Sequence, residues 1–360
     1  MTDSAMSLGI VWATRSAPHL IWGMLAGAVA DKVDRRRLLI MVFMVLGFIA
    51  FIMGILISKD LIQLWQVILF SFTMGSISTF ATPARQALVV DVVGRVDTMS
   101  AISINAVGMR IIGIFGGAAS GFVIYLFGIE WPFYLMCISY SVGILVLFFI
   151  QGIPKQTASK KQTLWDNFIE GLQIVSRNRT VLALMIMAAV CEIFGFSHSV
   201  LQPIFARDIL KVGAVGLGMF STARSVGGLI AGLSLASLGD YKHKGRLMLC
   251  IFLFFGVFLV LFAQSYWYPL SLVIIGMVGA MAAGYDALQH ILFQLNVTDE
   301  QRGRAIGIWQ LSIGFGPLGS FTLGAIAMAL GARLAQSIYG VVMIVFFLGL
   351  LIFVPRLRRL

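Results

Sequence analysis

The residues of this chain that could do chemistry are a few ionisable side chains set inside long apolar stretches. Glu192 lies about 12 residues into one such stretch, or roughly 18 Å along a helix, which is close to the middle of a bilayer. An ionisable group at that depth costs roughly 2.5–3.5 kcal/mol or more, so it normally faces a polar cavity or a charged partner. A carboxyl there could bind and release a proton or contact a substrate. The alternative is a structural pairing with an arginine.

Two further acid–base candidates, Asp286 and His290, are four residues apart and therefore share one face of a helix. Together they could pass protons at the cytoplasmic end of that helix. The alternative is that both lie near the lipid headgroups and are merely hydrated. Two isolated histidines, His19 and His198, are interpreted as buried residues with satisfied hydrogen bonds.

Three arginines, Arg15, Arg110 and Arg224, also lie within apolar stretches. We expect them to serve a polar interior between the helices, where Arg110 could bind an anionic ligand or hold Glu192. The alternative is that they join helices by hydrogen bonds to backbone carbonyls. Arg15 could also extend its side chain to the outer membrane surface.

Composition identifies the class of protein. The 360 residues are 59% hydrophobic and only 11% charged, with a mean hydropathy of +0.97, whereas a soluble domain carries about 25% charged residues. The sequence therefore predicts an all-α polytopic membrane protein. The net charge of +11 is attributed to basic cytoplasmic loops and not to nucleic-acid binding. Eleven transmembrane helices are predicted, at about 6–30, 37–57, 62–83, 101–127, 131–150, 180–204, 213–238, 247–264, 269–291, 304–330 and 334–354.

A basic, polar connector divides the predicted helices. Residues 1–150 are predicted to form an N-terminal half of five helices, and residues 180–360 a C-terminal half of six. Residues 151–179 form a cytoplasmic connector with an amphipathic helix. Lysines and arginines concentrate in the loops of one side, which predicts a cytoplasmic C-terminus.

The two halves share a register. Arg15 and Arg224 are separated by the same number of residues as Asp31 and Asp240, which indicates an internal duplication. A predicted helix precedes the second copy and none precedes the first. We therefore expect a complete version of the chain to have twelve helices, with the first of them absent here.

The duplicated stretch carries a motif. It reads GAVADKVDRRR from Gly27 to Arg37, and it resembles the loop after the second helix of major facilitator transporters. The resemblance implies a cytoplasmic gate at the matching residues of this loop and of its degenerate copy SLGDYKHKGR, namely Gly27, Asp31, Lys32, Arg35, Arg36, Asp240 and Arg246.

Three more stretches resemble one branch of that superfamily, the bacterial drug:proton antiporters that include the enterobactin exporter and macrolide efflux proteins. They are PARQALVVDVVGRVD, NAVGMRIIG and QLNVTDEQRGRAIGIW. The resemblance covers essentially the whole chain and implies two pseudo-symmetric helical halves. One departure is that Ile114 follows Gly113, where the branch usually has a proline associated with antiport.

The resulting hypothesis is a secondary transporter that exports a small amphiphilic molecule, such as a drug, macrolide or siderophore, against proton entry. Its expected partners are this substrate, protons and the lipid bilayer of the bacterial inner membrane, and it is expected to act as a monomer without cofactor or metal. Two alternatives stay open: an importer or facilitator of a small metabolite on the same fold, and a truncated fragment that does not transport. An enzyme is not predicted, because no nucleophile–base constellation stands out.

Overall fold

The computed structural model describes residues 4–150, 173, 175–176, 178–238, 241–297, 312 and 314–353. Within its helices, some side chains also lie outside the description, at positions 20, 23–28, 30–32, 86, 90, 94–100, 102–103, 106–107 and 110. The predicted amphipathic helix of the connector and the first part of the predicted span 304–330 fall outside the described residues.

The described part of the chain is helical throughout and contains no β-strand. Its main helices, in chain order, are α1 (Ala5–Lys32), α2 (Arg35–Ser58), α3 (Leu64–Phe127), α4 (Trp131–Phe149), α5 (Arg179–Val190), α6 (Gly213–Ser237), α7 (Lys244–Gln264), α8 (Tyr268–Leu295), α9 (Gly316–Leu330) and α10 (Ala332–Phe353). A broken segment of short helical turns, Cys191–Ile209, connects α5 to α6.

The predicted membrane class is confirmed by the length and composition of these helices. Eight stretches in the described residues are long and apolar enough to cross a membrane, and Ile111–Phe127 and Gly316–Leu330 are shorter apolar helices. Each overlaps one predicted span, and α1 overlaps the predicted span 6–30.

The chain divides into two compact units. Of the described residues, 14–109 and 122–150 form the first unit. The second unit is built from 4–13, 110–121 and all described residues from 173 onward. Its core is rich in phenylalanine: the ring of Phe262 on α7 lies 4.7 Å from that of Phe205 and 5.6 Å from that of Phe220.

Helix α3 differs from the prediction of two separate spans at 62–83 and 101–127. The structure has one helical element from Leu64 to Phe127. The residues between the two predicted spans include one glycine, Gly94, and no proline after Pro83. Without a strong breaker the helical backbone can continue through this charged stretch.

The predicted span 180–204 is not a regular helix. After α5 the chain forms a π-helical turn (Cys191–Gly195), a 3₁₀ turn (Phe196–Val200), one α-helical turn and a second π-helical turn (Phe205–Ile209). Pro203 has no amide hydrogen and cannot bond to the carbonyl four residues earlier. Just before it, the Leu201 amide bonds only three residues back, to the carbonyl of His198 at 3.2 Å.

Glycines allow α6 and α8 to pack with their backbones in contact. A Cβ atom placed on Gly227 would overlap the carbonyl of Gly276, and one placed on Gly279 would overlap the carbonyl of Arg224. Close approach of this kind is how helices associate in lipid, where no hydrophobic effect drives them together. The position of Arg224 is therefore fixed by the backbone of α8.

We predict that G279A lowers the free energy of unfolding by about 1–3 kcal/mol, because the added methyl group would overlap the backbone of α6. G232A is the matched control, since nothing lies within 4 Å of a Cβ at that position of α6. It should be neutral or slightly stabilising, as alanine has the higher helix propensity. Thermal unfolding of both variants in detergent measures the difference, and equal stability would contradict the packing described.

Candidate functional site

Glu192 lies on the π-helical turn in the middle of the membrane span Arg179–Ile209. Its neighbour Cys191 is fully buried, and Glu192 itself is partly buried. Turns of this kind are rare and concentrate at functional sites. The predicted depth of this carboxyl thus coincides with the place where the helix departs from regular geometry.

Three helices of the second unit hold the π-helical turn in place. A Cβ on Gly195 would lie 2.9 Å from the ring of Phe255 on α7. A Cβ on Gly319 of α9 would overlap the carbonyl of Ile193. The ring of Phe194 meets that of Tyr339 on α10 edge-on, with centroids 5.0 Å apart.

The carboxyl of Glu192 faces the first residue of α9. A Cβ on Gly316 would lie 3.8 Å from Glu192 Oε2. The start of a helix carries a partial positive charge, which attracts a carboxylate. The site therefore combines an acidic group with the positive end of a helix dipole.

Asp286 of α8 lies close enough for its charge to act on Glu192 and on the buried Cys191. The charges of two predicted carboxyl groups on different helices therefore act on each other, and we call them the acidic pair; Glu192 is partly buried and Asp286 is exposed. Their negative charges repel each other, and a bound proton relieves that repulsion. One turn further along α8, His290 contacts the amide nitrogen of Gln294, 3.1 Å from Nδ1.

The three predicted arginines are not gathered around this acidic pair in the described residues. Arg224 is partly buried on α6, and its charge acts on His198, with no ion pair to Glu192. Arg15 is exposed on α1 in the first unit, where its charge acts on Tyr140. The side chain of Arg110 lies outside the described residues.

The histidine prediction holds in part: His198 is buried and His19 partly buried, and in each ring one nitrogen has no hydrogen-bond partner among the described residues. His198 is 1% exposed, and its Nδ1 lies 2.8 Å from the carbonyl of Gly195. Its Nε2 has no hydrogen-bond partner among the described residues, and neither has Nδ1 of His19.

The basic motif between α1 and α2 makes specific contacts within the first unit. Arg35 donates to Asp91 of α3 at 2.6 Å, with the two side chains 16% and 20% exposed. Arg36 donates to the carbonyls of Leu147 and Phe148 at 2.7 and 3.0 Å, where α4 ends. The predicted gate arginines therefore tie α2 to α3 and α4.

The remaining residues predicted for the gate are described only in part. Gly27, Asp31 and Lys32 are described only by their helical backbone, and Asp240 lies wholly outside the described residues. Arg246 is exposed on α7. The sequence does not predict a role for Asp91, which lies within the family-like stretch PARQALVVDVVGRVD. Only the fold shows that Arg35 is the basic residue that faces it.

The first unit also has an open pocket of about 340 Å³, within the range of small-molecule sites. The hydroxyl oxygen of Ser76 is buried there without a hydrogen-bond partner in the described residues. Aromatic and aliphatic side chains form most of the wall, which is lined by Trp22, Phe72, Thr73, Ser76, Ile77 and Phe80. Such a pocket could hold an apolar or aromatic group.

We predict that R35Q lowers the free energy of unfolding by about 1–3 kcal/mol, because it leaves the largely buried Asp91 without its charged partner. R37Q is the control: Arg37 pairs with Asp34 at 3.7 Å, but its side chain is 81% exposed. Surface changes of this kind stay within about 0.5 kcal/mol. Unfolding in a detergent titration compares the two variants. An equal decrease in the free energy of unfolding would show that the Arg35–Asp91 pair stabilises the protein no more than an exposed pair does.

Comparison with solved structures shows the fold. A D-xylose–proton symporter superposes with a TM-score of 0.74 at 14% identity, covering 100% of this chain and 90% of the symporter. A bacterial homologue of the human lysosomal transporter Spinster also gives 0.74, at 12% identity, with 99% and 90% covered. Both likenesses confirm the predicted major facilitator fold.

Comparison of sequences gives the family. The staphyloferrin A transporter of Staphylococcus aureus is 27% identical over 350 residues, covering 94% of this chain and 85% of the relative. The enterobactin exporter EntS of Escherichia coli is 22% identical over 364 residues, covering 100% and 86%. The family described as Transmembrane secretion effector matches residues 1–359. The chain therefore belongs to this family of the major facilitator superfamily, and it is a multi-pass transporter of the bacterial inner membrane and not an enzyme.

Proposed function

We propose that the chain exports a small amphiphilic molecule in exchange for protons, by alternating access. The observation that carries this proposal is the carboxyl of Glu192, on a π-helical turn in the middle of a membrane span and within the field of Asp286. Discontinuous helices at the midplane are a recurring feature of ion and substrate sites in secondary transporters.

The proposed substrate is a siderophore or a drug-like molecule of similar character. Two relatives are named for staphyloferrin A transport and enterobactin export, which supports a siderophore and, for the second, the outward direction. The pocket lined by Trp22, Phe72 and Phe80 supports an aromatic or apolar group on the molecule. A drug or macrolide fits the same description.

In the proposed cycle, the acidic pair alternates between a proton-bound and a proton-free state. A proton on Glu192 removes the repulsion from Asp286 and the attraction to the start of α9. Loss of that proton on the cytoplasmic side restores both. His290, one turn from Asp286 on α8, is positioned to take part in proton transfer toward the end of the helix.

The charged contacts of the first unit support a gating role at the start of α2. Arg35 binds the carboxylate of Asp91 on α3, and Arg36 binds the carbonyl of Leu147 on α4. In the proposed gate, these contacts break and re-form as the cytoplasmic side opens and closes.

We predict that E192Q reduces transport driven by a pH gradient to background, because glutamine cannot carry the proton. Exchange of labelled for unlabelled substrate, which needs no net proton movement, should persist. E130Q is the control, since Glu130 lies in the turn before α4 and outside the acidic pair. Both activities are measured in proteoliposomes. If E192Q keeps gradient-driven transport and D286N loses it, the proton site is Asp286 instead.

Direction is tested in inverted membrane vesicles, with enterobactin, a macrolide and a fluorescent dye as substrates. We expect accumulation that depends on an inside-acid pH gradient and collapses when a protonophore removes it. A protease-sensitive tag on the C-terminus reports orientation, since a cytoplasmic C-terminus is exposed in inverted vesicles.

Each alternative gives a different result. An importer would accumulate substrate in right-side-out vesicles and not in inverted ones, and a facilitator would equilibrate it in either without a gradient. Folded protein that moves none of the three substrates would contradict the proposed substrate class.

A further inference from the structure

The hydroxyl of Thr222 on α6 bridges two backbone groups of α3. Its Oγ1 donates to the carbonyl of Ile114 at 2.6 Å and accepts from the amide of Ala118 at 3.0 Å. Ile114 and Ala118 are four residues apart, so this carbonyl and this amide are partners in a regular α-helix. The hydroxyl therefore bonds to the carbonyl and to the amide of a single i, i+4 pair of α3.

Four other helical threonines in the described residues behave differently. Each of these four donates to the carbonyl of its own helix at the position four residues earlier, as is usual for threonine in a helix. They are Thr73 at 2.8 Å, Thr79 at 2.8 Å, Thr82 at 3.4 Å and Thr322 at 2.7 Å. Thr222 makes its bond to a neighbouring helix instead.

The surface of α3 that receives Thr222 is made of glycine. Gly113, Gly117 and Gly121 are four residues apart and lie on one face of residues 110–121, which pack in the second unit. A Cβ on Gly113 would lie 2.6 Å from the hydroxyl of Ser225, and one on Gly121 would lie 2.6 Å from the carbonyl of Ala214. The backbones of α3 and α6 thus meet directly, which allows a short side chain to reach backbone groups.

This contact has an unusual property for a membrane protein. Breaking a hydrogen bond between helices in hydrocarbon normally leaves polar groups unsatisfied, at a cost of several kcal/mol each. Here the Ile114 carbonyl and the Ala118 amide can pair with each other once Thr222 leaves. The Thr222 hydroxyl can then donate to the carbonyl of Gly218, four residues earlier, as the other threonines do. The contact can therefore open without leaving any unsatisfied group.

We propose that Thr222 is a positioning residue of the transport cycle, whose hydroxyl clasps residues 110–121 of α3 to α6 in one conformer and releases them in another. The clasp acts on backbone groups, so it does not depend on the side chain at position 114, where isoleucine replaces the proline expected from the family resemblance. The inference rests on the alternating access of the proposed function, and it concerns neither the substrate nor the proton site.

The test compares T222V, which keeps the shape and loses the hydroxyl, with T222S, which keeps the hydroxyl. T82V is the matched control, because the hydroxyl of Thr82 bonds only within its own helix. Spin labels are placed at Phe115 and Met219, which are 70% and 37% exposed, in a background where Cys137 and Cys250 are replaced by alanine. Electron spin resonance then gives the distribution of distances between the two labels in lipid.

We expect T222V to raise the ratio of separated to clasped molecules by about threefold for each hydrogen bond lost, given the average strength of such bonds in membranes. T222S and T82V should keep the parent distribution, and substrate exchange should change in T222V alone. The proposal is overturned if T222V matches T82V, or if T222S shifts as far as T222V. The distances are measured without substrate, so this failure is distinct from a failure of the proposed export.

Discussion

The hydrocarbon of a bilayer cannot hydrogen-bond, so every polar group at membrane depth must find its partner within the chain. Several polar side chains of the described helices meet this constraint by bonding to a backbone carbonyl of a neighbouring helix. Gln289 of α8 donates to the carbonyl of Leu184 on α5 at 3.1 Å, and the hydroxyl of Tyr339 donates to the carbonyl of Gly319 at 2.9 Å. The first of these carbonyls lies in the interior of a helix and the second on the glycine face of α9, where a Cβ on Gly319 would overlap Ile193.

That requirement explains why the broken segment is stable at mid-membrane. Irregular backbone is tolerated at this depth only where protein surrounds it, and here α7, α9 and α10 all pack on Cys191–Ile209. The fully buried His198 caps a carbonyl of the π-helical turn. A regular helix would need less support, but it would not present the carboxyl of Glu192 on a widened turn.

Much of this architecture could be predicted from the sequence, because it depends on composition and on local pattern. Apolar length identified the spans, and the motif from Gly27 to Arg37 drew attention to Arg35 and Arg36, which make specific contacts with α3 and α4. The partners of these arginines could not be predicted. Asp91 is one acid among several, and the carbonyls of Leu147 and Phe148 leave no trace in the sequence. The bridge made by Thr222 was missed for the same reason, since both of its partners are backbone groups.

The break in the predicted span 180–204 was also missed, although residues that favour it are visible in the sequence. Gly195 and Pro203 lie within the predicted span 180–204, and each weakens a helical ladder. Apolar length predicted that this segment crosses the membrane, and it says nothing about whether the ladder is continuous. The approach of Asp286 to Glu192 depends on the packing of α8 against α5, which no local pattern specifies.

The same short segment links charge to helix position. The carboxyl of Glu192 faces Gly316 at the start of α9, and Gly319, one turn later, packs on the carbonyl of Ile193. A proton on Glu192 removes the attraction between the carboxylate and the helix start. The contact between Gly319 and Ile193 is steric and does not depend on that charge. The electrostatic contact can therefore weaken while the packing contact keeps the two elements in register. In the proposed cycle, this arrangement lets α9 respond to the proton through a change of attraction, without separation from the turn that carries the acid.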